Sequence, residues 1–208
     1  MKKFFVLAAA AAMALVACNK DNPTVDGSGT GNGGNVTKVA GVVFNEVDGN
    51  NKCIELYNTT DKEISLEGVY IVKYDSKKDG GMSTTWEGAA VMKIAPKGYV
   101  LLESSDLADP AENGDPNYEY ESENHVFKGG LSPKKNVKLE LYSATGDLLD
   151  EFVRGIEGAG WNQVKGYPEN ETCSFSRVPD GTGEFVYALP TPKAPNGEKV
   201  ADIEQTNA

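Results

Sequence analysis

Glu46 and Glu55 are carboxylates set among apolar strand-like residues, and Arg177 is a guanidinium at the end of another such run. Together the three tempt an active-site reading. The same three side chains could instead form a structural ion network. A carboxylate taken out of water needs a partner, and arginine can grip it with two parallel hydrogen bonds. The structural role is the expectation for Glu46, Glu55 and Arg177, and no catalytic residue is assigned.

Other groups give the same answer. Asp180-Gly181-Thr182-Gly183 looks like an aspartic-protease loop. That chemistry needs two carboxyls sharing one proton, and the motif occurs once. A turn is expected, with Asp180 accepting backbone amides and the glycines taking positive φ. His125 is the one histidine, so no multi-histidine zinc site can form, and no Gly-x-Ser-x-Gly elbow accompanies it. The insertion 106–124 holds Asp106, Asp109, Glu112, Asp115, Glu119, Glu121 and Glu123. Oxygen ligands suit Ca²⁺, but the spacing is not that of a calcium loop, so a solvated acidic loop is expected. No metal and no cofactor are expected. Trp86, Trp161, Tyr118, Tyr120 and Tyr167 lie in loop-like stretches. Such rings can stack on sugars or fill a partner's pocket. Trp86, Trp161, Tyr118 and Tyr120 are the candidate ligand-binding residues; the alternative is that these rings cap the ends of the sandwich core, the expected role of Trp161 among its glycines.

The elements that must position these groups are strands. From Val39 onward short runs rich in Val, Ile, Leu and Tyr alternate with turn compositions. The runs are Val39–Val47, Cys53–Tyr57, Val69–Tyr74, Ala90–Ile94, Tyr99–Glu103, Val137–Tyr142, Leu148–Val153 and Ser174–Val178. Lys138-Leu139-Glu140-Leu141-Tyr142 has a clean period of two, which puts Leu139 and Leu141 on one face. No stretch has a capped helical period. Many short strands between frequent turns predict an all-β sandwich. Two polar insertions, 75–89 and 106–124, interrupt the pattern.

The N-terminus has the layout of an export signal. Lys2 and Lys3 precede an uncharged apolar run, Phe4 to Ala14, too short to span a bilayer. Leu15-Val16-Ala17-Cys18 then resembles the bacterial lipobox, whose cysteine is acylated and becomes the first residue after cleavage. Residues 1–17 are therefore expected to be a lipoprotein signal peptide and Cys18 the lipidated residue. Residues 18–37 are expected to be a Gly- and Asn-rich flexible linker, with an average reach of roughly 20–25 Å. Residues 38–197 would form the sandwich, and 198–208 a polar, frayed tail.

Charge and cysteines narrow the setting further. The full chain carries −11, and losing Lys2 and Lys3 makes the mature form two charges more negative. Such a surface lacks the basic stripe that nucleic-acid binding needs. It also repels anionic lipid, so membrane attachment would rest on the N-terminal acyl chains. Cys53 and Cys173 form an even pair in an exported chain. They are expected to make a disulfide, with two buried thiols as the alternative. The bridge would close a loop of about 120 residues, worth roughly 4–5 kcal/mol in the chain-entropy picture.

Taken in order, the motifs are similar to one family. They run Val43-Phe44-Asn45-Glu46-Val47, Cys53-Ile54-Glu55-Leu56-Tyr57-Asn58 and Leu66-Glu67-Gly68-Val69-Tyr70. Phe127-Lys128-Gly129-Gly130-Leu131 follows, then Ser176-Arg177-Val178-Pro179-Asp180-Gly181-Thr182-Gly183 and Thr191-Pro192-Lys193-Ala194-Pro195-Asn196. This series resembles the lamin tail domain of exported bacterial proteins over about residues 39–197. Cys53 and Tyr70 stand where that pattern has tryptophan, and Ser176 and Lys193 where it often has glycine. The resemblance implies an immunoglobulin-like β-sandwich. About function it implies little more, since bacterial members often accompany nucleases or other exported enzymes as accessory domains; the module reading rests on the lack of a catalytic constellation.

The reading that results is a lipid-anchored cell-envelope protein, expected at the outer membrane, with a non-catalytic binding or adhesion module. Its partners would be the membrane, through the acyl chains, and a protein or glycan of unknown identity. The alternatives are a glycan-binding component of a nutrient-uptake system and an accessory domain of an exported hydrolase or nuclease. Fold class does not choose among these.

Overall fold

Hydrophobic alternation builds two facing sheets. The computed structural model describes residues 41–74, 82–107, 122–133, 137–154 and 172–203. The chain divides into two units, Met1–Asn35 and Val36–Ala208, and every described residue lies in the second. Its strands are β1 (Val42–Asp48), β2 (Cys53–Asn58), β3 (Ile64–Ser65), β4 (Tyr70–Tyr74), β5 (Met82–Glu87) and β6 (Lys93–Ile94). After these come β7 (Tyr99–Ser104), β8 (Val126–Phe127), β9 (Val137–Tyr142), β10 (Leu148–Arg154), β11 (Ser174–Val178), β12 (Glu184–Ala188) and β13 (Lys199–Asp202). A 3₁₀ turn at Glu123–His125 leads into β8.

The larger sheet runs β13-β12-β11-β1-β2-β7-β8 and the smaller β10-β9-β4-β5, while β3 and β6 form a short ribbon. Strand pairs are antiparallel except β7 with β8. Between the sheets Phe44, Ile54, Leu56, Leu102 and Phe175 meet Ile71, Leu139, Leu141 and Phe152, all at most 1% exposed. Each such side chain contributes about 1.5–3 kcal/mol by leaving water. The all-β immunoglobulin-like sandwich expected from the sequence is the fold observed.

One irregularity decides what the large sheet shows on each side. Phe44 pairs with Leu56, but Glu46 pairs with Glu55, so Asn45 is an extra residue in β1. A bulge of this kind shifts the alternation by one. Val42, Phe44 and Val47 face the core in consequence. Glu46 and Asp48 fall on the far face, alongside Cys53 and Glu55 of β2.

Five strands were not expected, two of which, β3 and β8, are only two residues long. β5 is Met-Ser-Thr-Thr-Trp-Glu, which shows no apolar alternation. It forms an edge, where one face and one side need no apolar partner. β12 follows the Asp-Gly-Thr-Gly turn directly as the second arm of a hairpin with β11. β13 lies in the segment expected to be a frayed tail. Lys199–Asp202 pair there with β12 as the sheet's last strand, so the sandwich extends past residue 197.

The expected Cys53–Cys173 disulfide does not form: both side chains are buried thiols. Cys173 belongs to the core between the sheets, whereas Cys53 packs with Leu101 on the far face of the large sheet. Cys53 begins β2, Cys173 immediately precedes β11, and β1 lies between those strands. Two strand spacings are about 10 Å, beyond the roughly 7 Å that a disulfide can bridge between Cα atoms.

Candidate functional site

Inside the sandwich, Arg177 meets Asp150. β11 pairs with β1 only from Glu46 onward, so the backbone of Phe44 lacks a β11 partner. Asp150 and Arg177 supply the missing contacts. The Phe44 N–H donates to Asp150 Oδ2 at 2.9 Å, and Arg177 Nε donates to the Phe44 carbonyl at 2.8 Å. Arg177 Nη2 donates to both Asp150 oxygens at 2.7 and 2.8 Å, and Nη1 donates to the Gly183 carbonyl at 3.0 Å. The guanidinium also lies 4.2 Å from the centre of the Phe185 ring. Arg177 and Asp150 thus join the two sheets and satisfy the backbone where β1 bulges. Arg154 acts similarly: it donates to the carbonyls of Ser132 and Pro133 and lies over Phe175.

On the far face, Glu46 and Glu55 sit side by side without Arg177. The expected Glu46–Glu55–Arg177 network is therefore corrected: alternation turns Arg177 inward, and the Asn45 bulge turns Glu46 outward. Three backbone amides of one segment hold the acids instead. Thr191 N–H donates to Glu46 Oε2 at 3.1 Å, Lys193 N–H to Glu55 Oε2 at 2.6 Å, and Asn196 N–H to Asp180 Oδ1 at 2.9 Å. Asn45 Nδ2 donates to Glu55 Oε1 at 2.9 Å, and Tyr99 OH to Asp180 Oδ2 at 2.6 Å. Asn196 Nδ2 donates to the carbonyls of Arg177 and Asn45.

Burial dominates the electrostatics of this face. It pushes the Glu46 carboxyl up to about 7, against the Thr191 hydrogen bond and with help from Asp48. It pushes Glu55 up to about 8, against the hydrogen bond from Asn45 and with help from Glu46. The Cys53 thiol is raised by burial and then by the surrounding acids Asp48, Glu103, Glu46 and Glu55. Tyr99 is raised by burial and by its bond to Asp180. Asp48 itself closes the β1–β2 turn, accepting from the backbones of Asn50 and Asn51.

Asp180-Gly181-Thr182-Gly183 is a turn, as its composition predicts, but only its first glycine has positive φ, and the backbone amide that the Asp180 carboxylate accepts is that of distant Asn196. Gly181 has φ 63°, and its N–H donates to Asn45 Oδ1 at 2.9 Å. A Cβ there would meet the Tyr57 ring at 2.6 Å, so glycine is required on both counts. His125 closes its own turn through Nδ1 and Ser122 Oγ, 3.0 Å apart.

The smaller sheet presents a different surface. Tyr70, Val72 and Tyr74 of β4 lie beside Tyr142, Glu140 and Lys138 of β9, on the face opposite Ile71, Leu139 and Leu141. The Tyr70 and Tyr142 rings stack 5.1 Å apart. The hydroxyls of Tyr74 and Tyr142 donate to Glu140 Oε2 at 2.7 and 2.6 Å, and Lys138 pairs with Oε1 at 3.0 Å. Burial pushes the Glu140 carboxyl upward, but these three donors more than offset it and hold it below its ordinary value. The bond to Glu140 pushes Tyr142 up to about 12.

Of the ring residues singled out for ligand binding, Trp86 is corrected. It is 4% exposed, packs in the core, and donates through Nε1 to the Asn124 carbonyl at 2.8 Å. Trp161, Tyr118 and Tyr120 lie outside the described residues, as do Cys18, Tyr167 and most of the acidic insertion. Asp150, Asn45, Thr191 and Asn196 were not singled out. Asn45, Thr191 and Asn196 stand in the quoted motifs beside Glu46 and Pro192, and their place there was the available signal.

These contacts define an immunoglobulin-like sandwich whose buried charges serve its own backbone. The chain belongs to the Lamin Tail Domain family, which matches residues 35–155. Its members are immunoglobulin-like, non-enzymatic domains. The match ends beside β10, yet β11, β12 and the segment from Thr191 to Asn196 complete the large sheet and its cover. No curated protein matches the chain.

Proposed function

We propose that this chain is a lipid-anchored cell-envelope protein whose sandwich is a non-catalytic binding or adhesion module. The observation that carries the reading is where the reactive groups lie. Glu46, Glu55, Asp150 and Arg177 are each at most 4% exposed, and each is engaged with the protein's own chain. In this structure a substrate would have to displace part of the chain to reach them. The anchor rests on the charged and apolar signal ending Leu15-Val16-Ala17-Cys18, and the linker 18–37 would set the domain off from an outer-membrane surface.

A glycan ligand is favoured by one observation, the tyrosine stripe. Tyr70, Tyr74 and Tyr142 are half-buried on one sheet face, with Glu140, Lys138 and Glu151 beside them. Rings flanked by charged hydrogen-bonding groups suit sugars, whose apolar faces stack while their hydroxyls bond. The test is a glycan and envelope-polymer array, probed with the chain from Asn19 onward and with its Tyr70→Ala/Tyr142→Ala variant. A saturable signal lost in the variant supports glycan binding through this face. A blank array removes the glycan reading and leaves a protein partner. The anchor is tested separately: Cys18→Ser should release the protein from membranes, and unchanged fractionation would refute lipidation at that residue.

A further inference from the structure

We infer that the segment from Thr191 to Asn196 is a proton-controlled latch, closed over the large sheet while Glu46 and Glu55 are protonated and lifted when they ionise. It lies beyond the binding role and is independent of it.

The geometry comes first. Within six residues the segment sends three backbone N–H groups into three carboxyls: Thr191 to Glu46, Lys193 to Glu55 and Asn196 to Asp180. Little apolar packing backs these bonds. Thr191, Pro192, Ala194 and Asn196 are half-buried, while Lys193 and Pro195 are exposed. Lys193 also holds φ 60°, a left-handed conformation that costs a side-chain-bearing residue energy. The latch is therefore held by hydrogen bonds to acids, with the Asn196 side chain adding two to the carbonyls of Asn45 and Arg177.

Those acids repel one another once charged. Glu46 and Glu55 are direct cross-strand neighbours, and like charges in that position are destabilising. From β1, Asp48 adds to the field at Glu46, and Ser174 of β11 offers a neutral hydroxyl. From β2 and β7, Cys53, Glu103 and Tyr99 flank the pair, and Asp180 faces Glu55 from the β11–β12 turn. Of the nearby cations, Arg177 is committed to Asp150 on the other face, and Lys193 is exposed on the latch itself. Burial holds both carboxyls protonated to about 7 and 8, against the Thr191 and Lys193 N–H bonds, which favour the ionised form. Lifting the segment returns them to water and to an ordinary carboxyl range. The closed form thus binds more protons, and rising pH favours the open form. Opening would uncover an acidic floor of Glu46, Glu55 and Asp180.

Hydrogen exchange at the amides of Thr191, Lys193 and Asn196 tests this between pH 5.5 and 9. Protection, corrected for intrinsic exchange, is compared with the core amides of Ile54 and Leu102. The latch amides should lose about tenfold or more protection relative to the core. In Glu46→Gln/Glu55→Gln, which keeps an accepting oxygen but cannot ionise, their protection should be independent of pH. Constant relative protection in the wild type overturns the inference even if the double variant does not fold. The same loss in a folded double variant also overturns it, because ionisation would then not be the cause.

Discussion

Asp150 and Glu55 are both almost fully buried, 4% and 1% exposed, and they are held in opposite ways. Asp150 lies between the sheets against a guanidinium that donates to both its oxygens. Glu55 lies on the far face of the large sheet, and its donors are a neutral side-chain amide and a backbone N–H. A carboxylate with a cation beside it remains an ion at depth. A carboxyl met only by neutral donors is easier to bury with its proton on, and Glu55 is pushed up to about 8. One sandwich therefore contains a staple made of an ion pair and another made of a carboxyl met only by neutral donors.

The sharpest way to break the comparison is to remove one partner of the charged staple. Asp150→Ala leaves Arg177 buried and the Phe44 N–H without its acceptor; Arg177→Ala leaves Asp150 equally stranded. Each should cost about 3–5 kcal/mol in denaturant unfolding. A melting temperature unchanged by Arg177→Ala would refute the pairing. The next effect belongs to Asn45, the bulge residue that touches both Glu55 and the Gly181 amide. Asn45→Ala should cost about 1–3 kcal/mol, the penalty of buried polar groups left without partners. If it costs nothing, the far face is not a connected network.

How much of this could be seen in the chain depended on whether a residue's role is local. Leu139 and Leu141 alternate with polar neighbours, so their strand and their inward face follow from period two alone. The turn at Asp180-Gly181-Thr182-Gly183 was legible for the same reason, since its turn-forming residues are adjacent, whereas the distant Asn196 amide that Asp180 accepts was not. The partner of Arg177 was not, because it depends on register. An extra residue at Asn45 turned Glu46 away from the arginine, and Asp150 comes from the other sheet. Cys53 and Cys173 failed similarly. Compartment argued for a bond, and the face each residue occupies forbade it. Trp86 looked like a loop ring because Ser83-Thr84-Thr85 before it carry no apolar pattern, yet its register opposite Ile71 points it into the core.

The pH response separates the two staples more gently. For Glu46 and Glu55 the folded values, about 7 and 8, lie above the unfolded carboxyl value. Their contribution to stability is thus complete below about pH 4.5 and is lost as pH rises through 7 and 8. Denaturant midpoints should decline across that window, and Glu55→Gln should flatten the decline. The loss is smaller than that from breaking the ion pair, since lifting the segment from Thr191 to Asn196 lets the acids hydrate without global unfolding. A midpoint that rises between pH 5 and 8 would reverse the sign and with it the account of the far face.

The smallest expected effect is none, and it tests the sheet geometry on which both staples depend. With β1 between their strands and their side chains on opposite faces, Cys53 and Cys173 have no bond to lose. A reductant should leave the melting temperature where it was, whereas breaking a bridge around so long a loop would cost roughly 4–5 kcal/mol. Alkylation should be slow in the folded protein, because both thiols are buried and burial raises the Cys53 thiol far from its reactive form. In denaturant without reductant both should react at once. A mass gain of two hydrogens on reduction would refute both the faces and the strand order. A bridge would need β1 out of its place between β2 and β11, since two strand spacings exceed a disulfide's reach.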